Sequence, residues 1–243
     1  MKPLKDKVIL ITGAGGGLGS TAALTLAKSG AHIILLDKNI AKLEVVYDAI
    51  LAADAPEPII YPFDLAGANE NDYQELADKV ADEYGSLQGL LHSAVEFSSF
   101  TPISQFSTKD WGHTLNVNLN APFLLTRVLL PVLQKSSQAS IVFTSDSCAN
   151  DPHAYLGAYG VSKIALEGFV KILADELDSA GQIRANILVP GAVDSPLRKR
   201  AYPAEDKSKL PTLESLAPVY LYLFGTQSLA VNGQTIDART FHL

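Results

Sequence analysis

A doubly wound α/β architecture, a parallel sheet between two layers of helices, is predicted by three observations. The apolar run Val8-Ile9-Leu10-Ile11 leads directly into Thr12-Gly13-Ala14-Gly15-Gly16-Gly17-Leu18-Gly19. Helical apolar periodicity over Ser20–Lys28, ended by Gly30, is followed by a second strand pattern that stops at Asp37. Strand-like segments then recur to the end of the chain, separated by longer helical ones, as a sheet covered on both faces requires.

In order, strand patterns fall at Val8–Thr12, His32–Asp37, Pro58–Tyr61, Gly89–Ser93, Ser140–Thr144, Ala185–Val189 and Gln234–Asp237. The first turn carries the most information. Its glycines let the backbone adopt conformations barred to residues with a Cβ, and they let a phosphate approach main-chain N–H groups. The helix N-terminus behind them adds partial positive charge. Asp37 stands about 20 residues beyond the glycines, where a carboxylate can bond an adenosine ribose. The unit therefore reads as a dinucleotide site, whereas a glycine-rich turn alone would be compatible with no ligand.

The chain has 243 residues, 47% hydrophobic and 19% charged, enough to bury a core without staples, and no linker or repeat divides the span 1–243. Net charge is −7 and Arg198-Lys199-Arg200 is the only dense basic cluster, which disfavours diffuse nucleic-acid binding. The single cysteine, Cys148, allows no intramolecular disulfide, and no Cys/His spacing suggests a metal. The N-terminal apolar run is too short for a signal-peptide core, and no later run reaches membrane-spanning length. The expectation is a cytoplasmic protein with a small-molecule substrate and no nucleic-acid, membrane or metal partner.

Tyr159-Gly160-Val161-Ser162-Lys163 lies inside a helical segment, Ala158–Ser179, that ends at Gly181. A spacing of four puts phenol and ammonium on one helix face. A nearby cation favours phenolate and draws the tyrosine toward general acid/base work. Taken alone the pair is a weak signal, since a tyrosine packed on the sheet beside a solvated lysine has the same spacing.

Together the glycine turn and the Tyr-x-x-x-Lys pair resemble the short-chain dehydrogenase/reductase family, from Lys7 to about Asp237. The family's Thr-Gly-x-x-x-Gly-x-Gly matches Thr12, Gly13, Gly17 and Gly19, with Leu18 inside it. Its Asp-Leu facing the adenine matches Asp64-Leu65, and its relay asparagine falls on Asn118. Its tyrosine and lysine fall on Tyr159 and Lys163, and its Pro-Gly beside the nicotinamide on Pro190-Gly191, with Val193 following and Ser195 where a threonine is usual. The resemblance implies a seven-stranded sheet in the order 3-2-1-4-5-6-7 and hydride transfer between a nicotinamide and a carbonyl or alcohol. Tyr159 would move the proton, Lys163 would lower its pKa and hold the nicotinamide ribose, and Asn118 would order a relay water. Asp37 favours NAD(H), because a carboxylate accepts hydrogen bonds from a ribose diol but repels a 2′-phosphate; Lys38 beside it leaves NADP(H) open.

Two departures complicate that picture. Thirteen residues before the tyrosine, where the family carries its catalytic serine, stands Asp146, flanked by Ser145 and Ser147. Three readings stay open: a protonated Asp146 as donor, Ser145 or Ser147 substituting after a register shift, or a site that no longer performs ordinary carbonyl reduction. The family's Asn-Asn-Ala-Gly is here His92-Ser93-Ala94-Val95, and the β-branched Val95 is expected to crowd or displace the cofactor. These changes sustain an alternative in which the chain senses nucleotides or acts as a scaffold without turnover.

Substrate choice should lie in Glu96–Gln105 and Asp194–Pro211, the latter where the family carries a mobile lid. Arg198, Lys199 and Arg200 could attract an anion or simply be solvated, and His153 and Tyr155 could line the pocket or pack. The resemblance further implies a homodimer or homotetramer that pairs long helices at Asp110–Lys135 and Ala158–Ser179. Leu216–Phe224, apolar on nearly every face, is either deeply buried or meets a partner, and Gly168 would allow close helix packing.

Overall fold

The computed structural model describes residues 2–179 and 181–242, so Met1, Ala180 and Leu243 of the 1–243 span lie outside the described residues. Among the described residues seven strands form: β1 Val8–Thr12, β2 His32–Asp37, β3 Ile59–Pro62, β4 Gly89–His92, β5 Ala139–Thr144, β6 Ile183–Val189 and β7 Thr235–Asp237. All pair in parallel, in the order β3-β2-β1-β4-β5-β6-β7. Every residue of β1, β4 and β6 is buried, the pattern of strands covered on both faces. Even Arg184 in β6 is buried, because its guanidinium donates to the carbonyls of Leu223 and Gly225, each at 3.0 Å.

The helices are α1 Gly17–Lys28, α2 Ile40–Ala52, α3 Glu70–Tyr84, α4 Thr108–Leu115, α5 Ala121–Leu133, α6 Gly157–Asp178, α7 Pro196–Ala201 and α8 Ala217–Phe224. Alternation along β1 sends Ile9 and Ile11 to a core shared with α1, α2 and α8, and Val8 and Leu10 to one shared with α3, α5 and α6. Tyr220 and Phe224 of α8 are almost wholly buried in the first core, each contributing about 1.5–3 kcal/mol. The apolar segment Leu216–Phe224 is thus mainly consumed inside its own chain.

β1 pairs with β2 on one side, Thr12 opposite Leu36, and with β4 on the other, Thr12 opposite His92. Chain direction across the sheet reverses there, so a crevice opens at the carboxyl ends of β1 and β4. No helix among the described residues is long and apolar enough to cross a membrane.

Five strands and α6 shift by one or two residues from their expected ends, and two helices change more. The long helix expected over 110–135 is three pieces: α4, a π turn at Asn116–Asn120, and α5. The π turn coincides with Asn118, whose side chain is drawn into bonds outside the helix, and Pro122 follows at the start of α5. The helix expected from Ser20 begins at Gly17, within the glycine turn itself.

Candidate active site

The crevice widens into a cleft of about 470 Å³ whose floor is the glycine turn. Gly13 takes φ +64°, and a Cβ there would stand 2.7 Å from the Ala94 Cα, so the turn rests directly on the end of β4. A Cβ on Gly19 would overlap the Gly13 carbonyl oxygen, which is how α1 starts against the loop. Thr12 ties the two strand ends together, its Oγ1 accepting the N–H groups of Ser93 and Ala94, each at 3.1 Å. Helices α2, α3 and α4 are capped by the side chains of Asn39, Asn69 and Ser107, but α1 starts from Gly16 with no side-chain cap. Its first-turn N–H groups, on Gly17, Leu18 and Gly19 at the cleft wall, keep their donors for an anion.

Asp37 abuts this loop: its Oδ2 accepts the Gly15 N–H at 3.2 Å and its Oδ1 the Asn39 N–H at 3.0 Å. Lys38 is exposed. Lys42, which sequence reading did not single out, packs close by, since a Cβ on Gly15 would stand 2.8 Å from the Lys42 Cβ. Asp64 and Leu65 serve the turn after β3: Asp64 Oδ1 accepts the Ala66 N–H at 3.1 Å, and the Leu65 carbonyl accepts the Tyr73 hydroxyl at 2.8 Å.

On α6, Lys163 lies one turn beyond Tyr159, its Nζ 5.7 Å from the ring centre and donating to the Thr144 carbonyl at 2.8 Å. Burial pushes Lys163 down to about 8, against the opposing pull of Asp146, Cys148 and Glu167. The Tyr159 hydroxyl donates to Asp146 Oδ2 at 2.8 Å, and Asp146 Oδ1 accepts the Cys148 N–H at 3.0 Å. Burial acts to raise the Asp146 carboxyl, but these two hydrogen bonds and the Lys163 charge together hold it below the usual carboxylate value. Tyr159 is pushed well above the ordinary phenol value, first by burial and then by Asp146. Burial, with Asp146 second, likewise pushes the Cys148 thiol up to about 12.

This geometry bears on the readings of the serine position. The Cys148 and Tyr159 hydrogen bonds and the Lys163 charge favour an ionised Asp146 over a protonated donor. Ser145 is buried and committed elsewhere, its Oγ donating to Glu167 at 2.6 Å. Ser147 is exposed and reaches only Asp146 Oδ1, at 3.4 Å. Asn118 clamps rather than faces the cleft: its Oδ1 accepts the Glu96 N–H at 2.7 Å, and its Nδ2 donates to the Glu96 carbonyl at 2.9 Å and to Ser162 Oγ at 3.1 Å.

Phe97, Cys148, Leu156 and Tyr159 form a small apolar cluster on the substrate side, with Val95, Phe100 and Leu197 packed against it. Val95 is thus engaged by this wall, while Ser93 Oγ is buried with no hydrogen-bond partner. Pro190, Gly191, Val193 and Ser195 line the opposite wall, with Ser195 Oγ capping α7 by accepting the Arg198 N–H at 3.1 Å. The basic cluster is internally paired. Arg198 makes two 2.6 Å bonds to Glu205 and lies 3.7 Å from the Tyr202 ring centre; Lys199 pairs with Asp194 at 2.9 Å; Arg200 donates to the Phe97 carbonyl. His153 stands at the cleft rim, whereas Tyr155 is 56% exposed. The aromatic wall and Glu167 were not picked out in the sequence, although Phe97 and Phe100 fall in the loop expected to set substrate choice.

The model of the short chain dehydrogenases matches residues 7–206, and the chain belongs to the short-chain dehydrogenase/reductase family of oxidoreductases. More particularly, it is similar to the uncharacterized oxidoreductase YciK of Escherichia coli (strain K12), 39% identical over 236 residues that cover 97% of this chain and 93% of that protein. A short chain dehydrogenase structure from Pseudomonas syringae superposes with a TM-score of 0.95 at 45% identity, covering 98% of this chain and 96% of that one. Another, from Escherichia coli CFT073 in complex with NADPH, gives 0.95 at 39% identity, covering 98% of both chains. The residues fit the family's nicotinamide dinucleotide: the uncapped α1 start suits its pyrophosphate, and Ser93 Oγ is an unmet polar atom at the cleft.

Replacing Asp146 with Ser or Asn is expected to bring the Tyr159 phenol down toward its ordinary value. Tyrosinate absorbance, titrated in each background with and without Tyr159→Phe, isolates that phenol; an unchanged midpoint would mean that Asp146 does not set it.

Proposed function

We propose that the protein is a nicotinamide-dependent oxidoreductase acting on a small molecule at a carbon that bears a heteroatom. The observation that carries this reading is that Tyr159 and Lys163 open into the same cleft as the uncapped start of α1. When bound, the dinucleotide supplies or removes a hydride. Tyr159 meets the substrate heteroatom, Lys163 sets the charge beneath it, and Asn118 holds the Glu96 segment against α6. Burying Tyr159, Lys163 and the Asp146 carboxylate together removes three ionisable groups from water at a desolvation cost, which favours an enzyme over a nucleotide-sensing scaffold.

Asp37 supports NAD(H) as the preferred cofactor, because a 2′-phosphate at the glycine loop would meet its carboxylate. A second reading, NADP(H), draws on the NADPH complex of the Escherichia coli CFT073 relative and on Lys38 and Lys42 flanking Asp37. Titrating the protein with NADH and NADPH by nicotinamide fluorescence decides between them. Tighter NADH binding, with Asp37→Ser improving NADPH by roughly tenfold, supports the first reading, about 1.4 kcal/mol in the selector. Tighter NADPH binding supports the second, and binding of neither removes the functional reading.

The span 1–243 acts as one domain, with 194–211 as a lid whose opening breaks the Arg200 contact to Phe97. A homo-oligomer is supported by Phe123 on α5 and Val161, Ile164 and Ile172 on α6, each 44–62% exposed, alongside Gly168 with nothing within 4 Å of a Cβ. The single, buried, unpaired Cys148 suits the reducing cytoplasm. Light scattering of the intact protein should give a multiple of 25.9 kDa that Ile172→Lys lowers; a monomer before substitution would contradict the pairing.

A further inference from the structure

The geometry points to a substrate whose reacting heteroatom is nitrogen: a cyclic C=N compound reduced as its protonated iminium, with Asp146 as the group that holds the N–H. This deepens the oxidoreductase reading and rests on it. Any heteroatom that hydrogen-bonds the Tyr159 hydroxyl lies next to the carboxylate oxygen that the same hydroxyl already contacts at 2.8 Å. A carbonyl oxygen brings only lone pairs to that place and gains negative charge as it is reduced, so Asp146 opposes it. An iminium brings a donor and a positive charge, and both are satisfied by the carboxylate.

The wall around Asp146 suits a cation independently of that bond. Tyr159, Phe97 and Phe100 meet edge to face, with ring centres 5.2 and 5.1 Å apart, and Phe100 continues to Tyr202 at 5.2 Å. Aromatic walls beside a carboxylate are a common way to hold organic ammonium ions. The competing cations are engaged elsewhere. Arg198 is paired with Glu205 and covers the Tyr202 ring, and Arg200 donates to the Phe97 carbonyl; Lys163 offsets part of the Asp146 charge, but its Nζ donates its hydrogen bond to the Thr144 carbonyl and none to Asp146. Neighbouring Cys148 keeps its proton, so it adds no charge of its own.

The step balances without a further reagent. The iminium carbon gains a hydride from the reduced nicotinamide dinucleotide, and the C=N π pair becomes the nitrogen lone pair. The proton already on nitrogen remains, and iminium plus NAD(P)H becomes amine plus NAD(P)⁺. Tyr159 keeps its proton and fixes the carboxylate, while Asp146 raises the fraction of imine present as iminium.

The test compares methylpyrroline with methylcyclopentanone, a ring-matched imine and ketone, on the intact protein with whichever reduced nicotinamide it binds. The expected kcat/KM favours the imine by roughly tenfold or more, and Asp146→Ser reverses the order. In parallel, calorimetry of methylpyrrolidinium on cofactor-free protein should show binding that the near-isosteric Asp146→Asn weakens by roughly tenfold, with the circular dichroism of the fold unchanged. Preference for the ketone, reduction of neither ring, or ammonium binding that survives Asp146→Asn would overturn the assignment. Loss of cofactor binding in the wild-type protein would instead overturn the oxidoreductase reading, and the calorimetry would still report on Asp146.

Discussion

The hydrogen bond from Tyr159 to Asp146 is the constraint around which the site is arranged. It places an ionised carboxylate where a neutral hydroxyl donor would serve carbonyl reduction, and so inverts the electrostatics facing the substrate. Each neighbour then answers to it. Cys148 supplies its N–H to the other carboxylate oxygen and keeps its thiol protonated, and Lys163 keeps enough charge, despite burial, to balance part of it. Remove Asp146 and the phenol, the thiol and the ammonium all change their proton affinity together.

That arrangement is available because the fold brings distant segments to one end of the sheet. Parallel strands of matched register deliver Thr12 and His92 side by side, and the tight approach of Gly13 to Ala94 closes the gap between them. β5 delivers Asp146 just past its end, and α6 returns over it with Tyr159 and Lys163 on the facing side. The π turn at Asn116–Asn120 has a local role here: it aims the Asn118 amide at Glu96 and Ser162, fixing the loop that carries Phe97. The segment from Asp194 onward is fastened by its own ion pairs and by Arg200, so the basic cluster organises the cleft wall instead of presenting free charge.

Much of this was legible in the residues. The glycine turn, the strand segments and the Tyr159–Lys163 face follow from local periodicity and spacing, because backbone sterics decide them within a few residues, whereas the strand order came from the family resemblance, since pairing between distant strands is not a local property. Asp146 could be recognised as out of place by counting from Tyr159. Its ionisation could not, since that depends on the Cys148 N–H and the depth of Lys163. Ser145 shows the same limit: only the fold reveals that Glu167, 22 residues on, claims its hydroxyl. The break in the helix predicted over 110–135 escaped because a π turn keeps the backbone helical on both sides and leaves no local stop signal.

Everything at the site turns on Asp146 being a carboxylate under ordinary working conditions. Carbon NMR of protein labelled at the aspartate carboxyl, assigned by Asp146→Asn and titrated with acid, tests it directly. The expected midpoint lies below the usual aspartate value and shifts upward when Tyr159→Phe removes the donated hydrogen bond. A midpoint near or above neutrality would mean that Asp146 is a proton donor and would restore the oxygen chemistry of an ordinary carbonyl reductase.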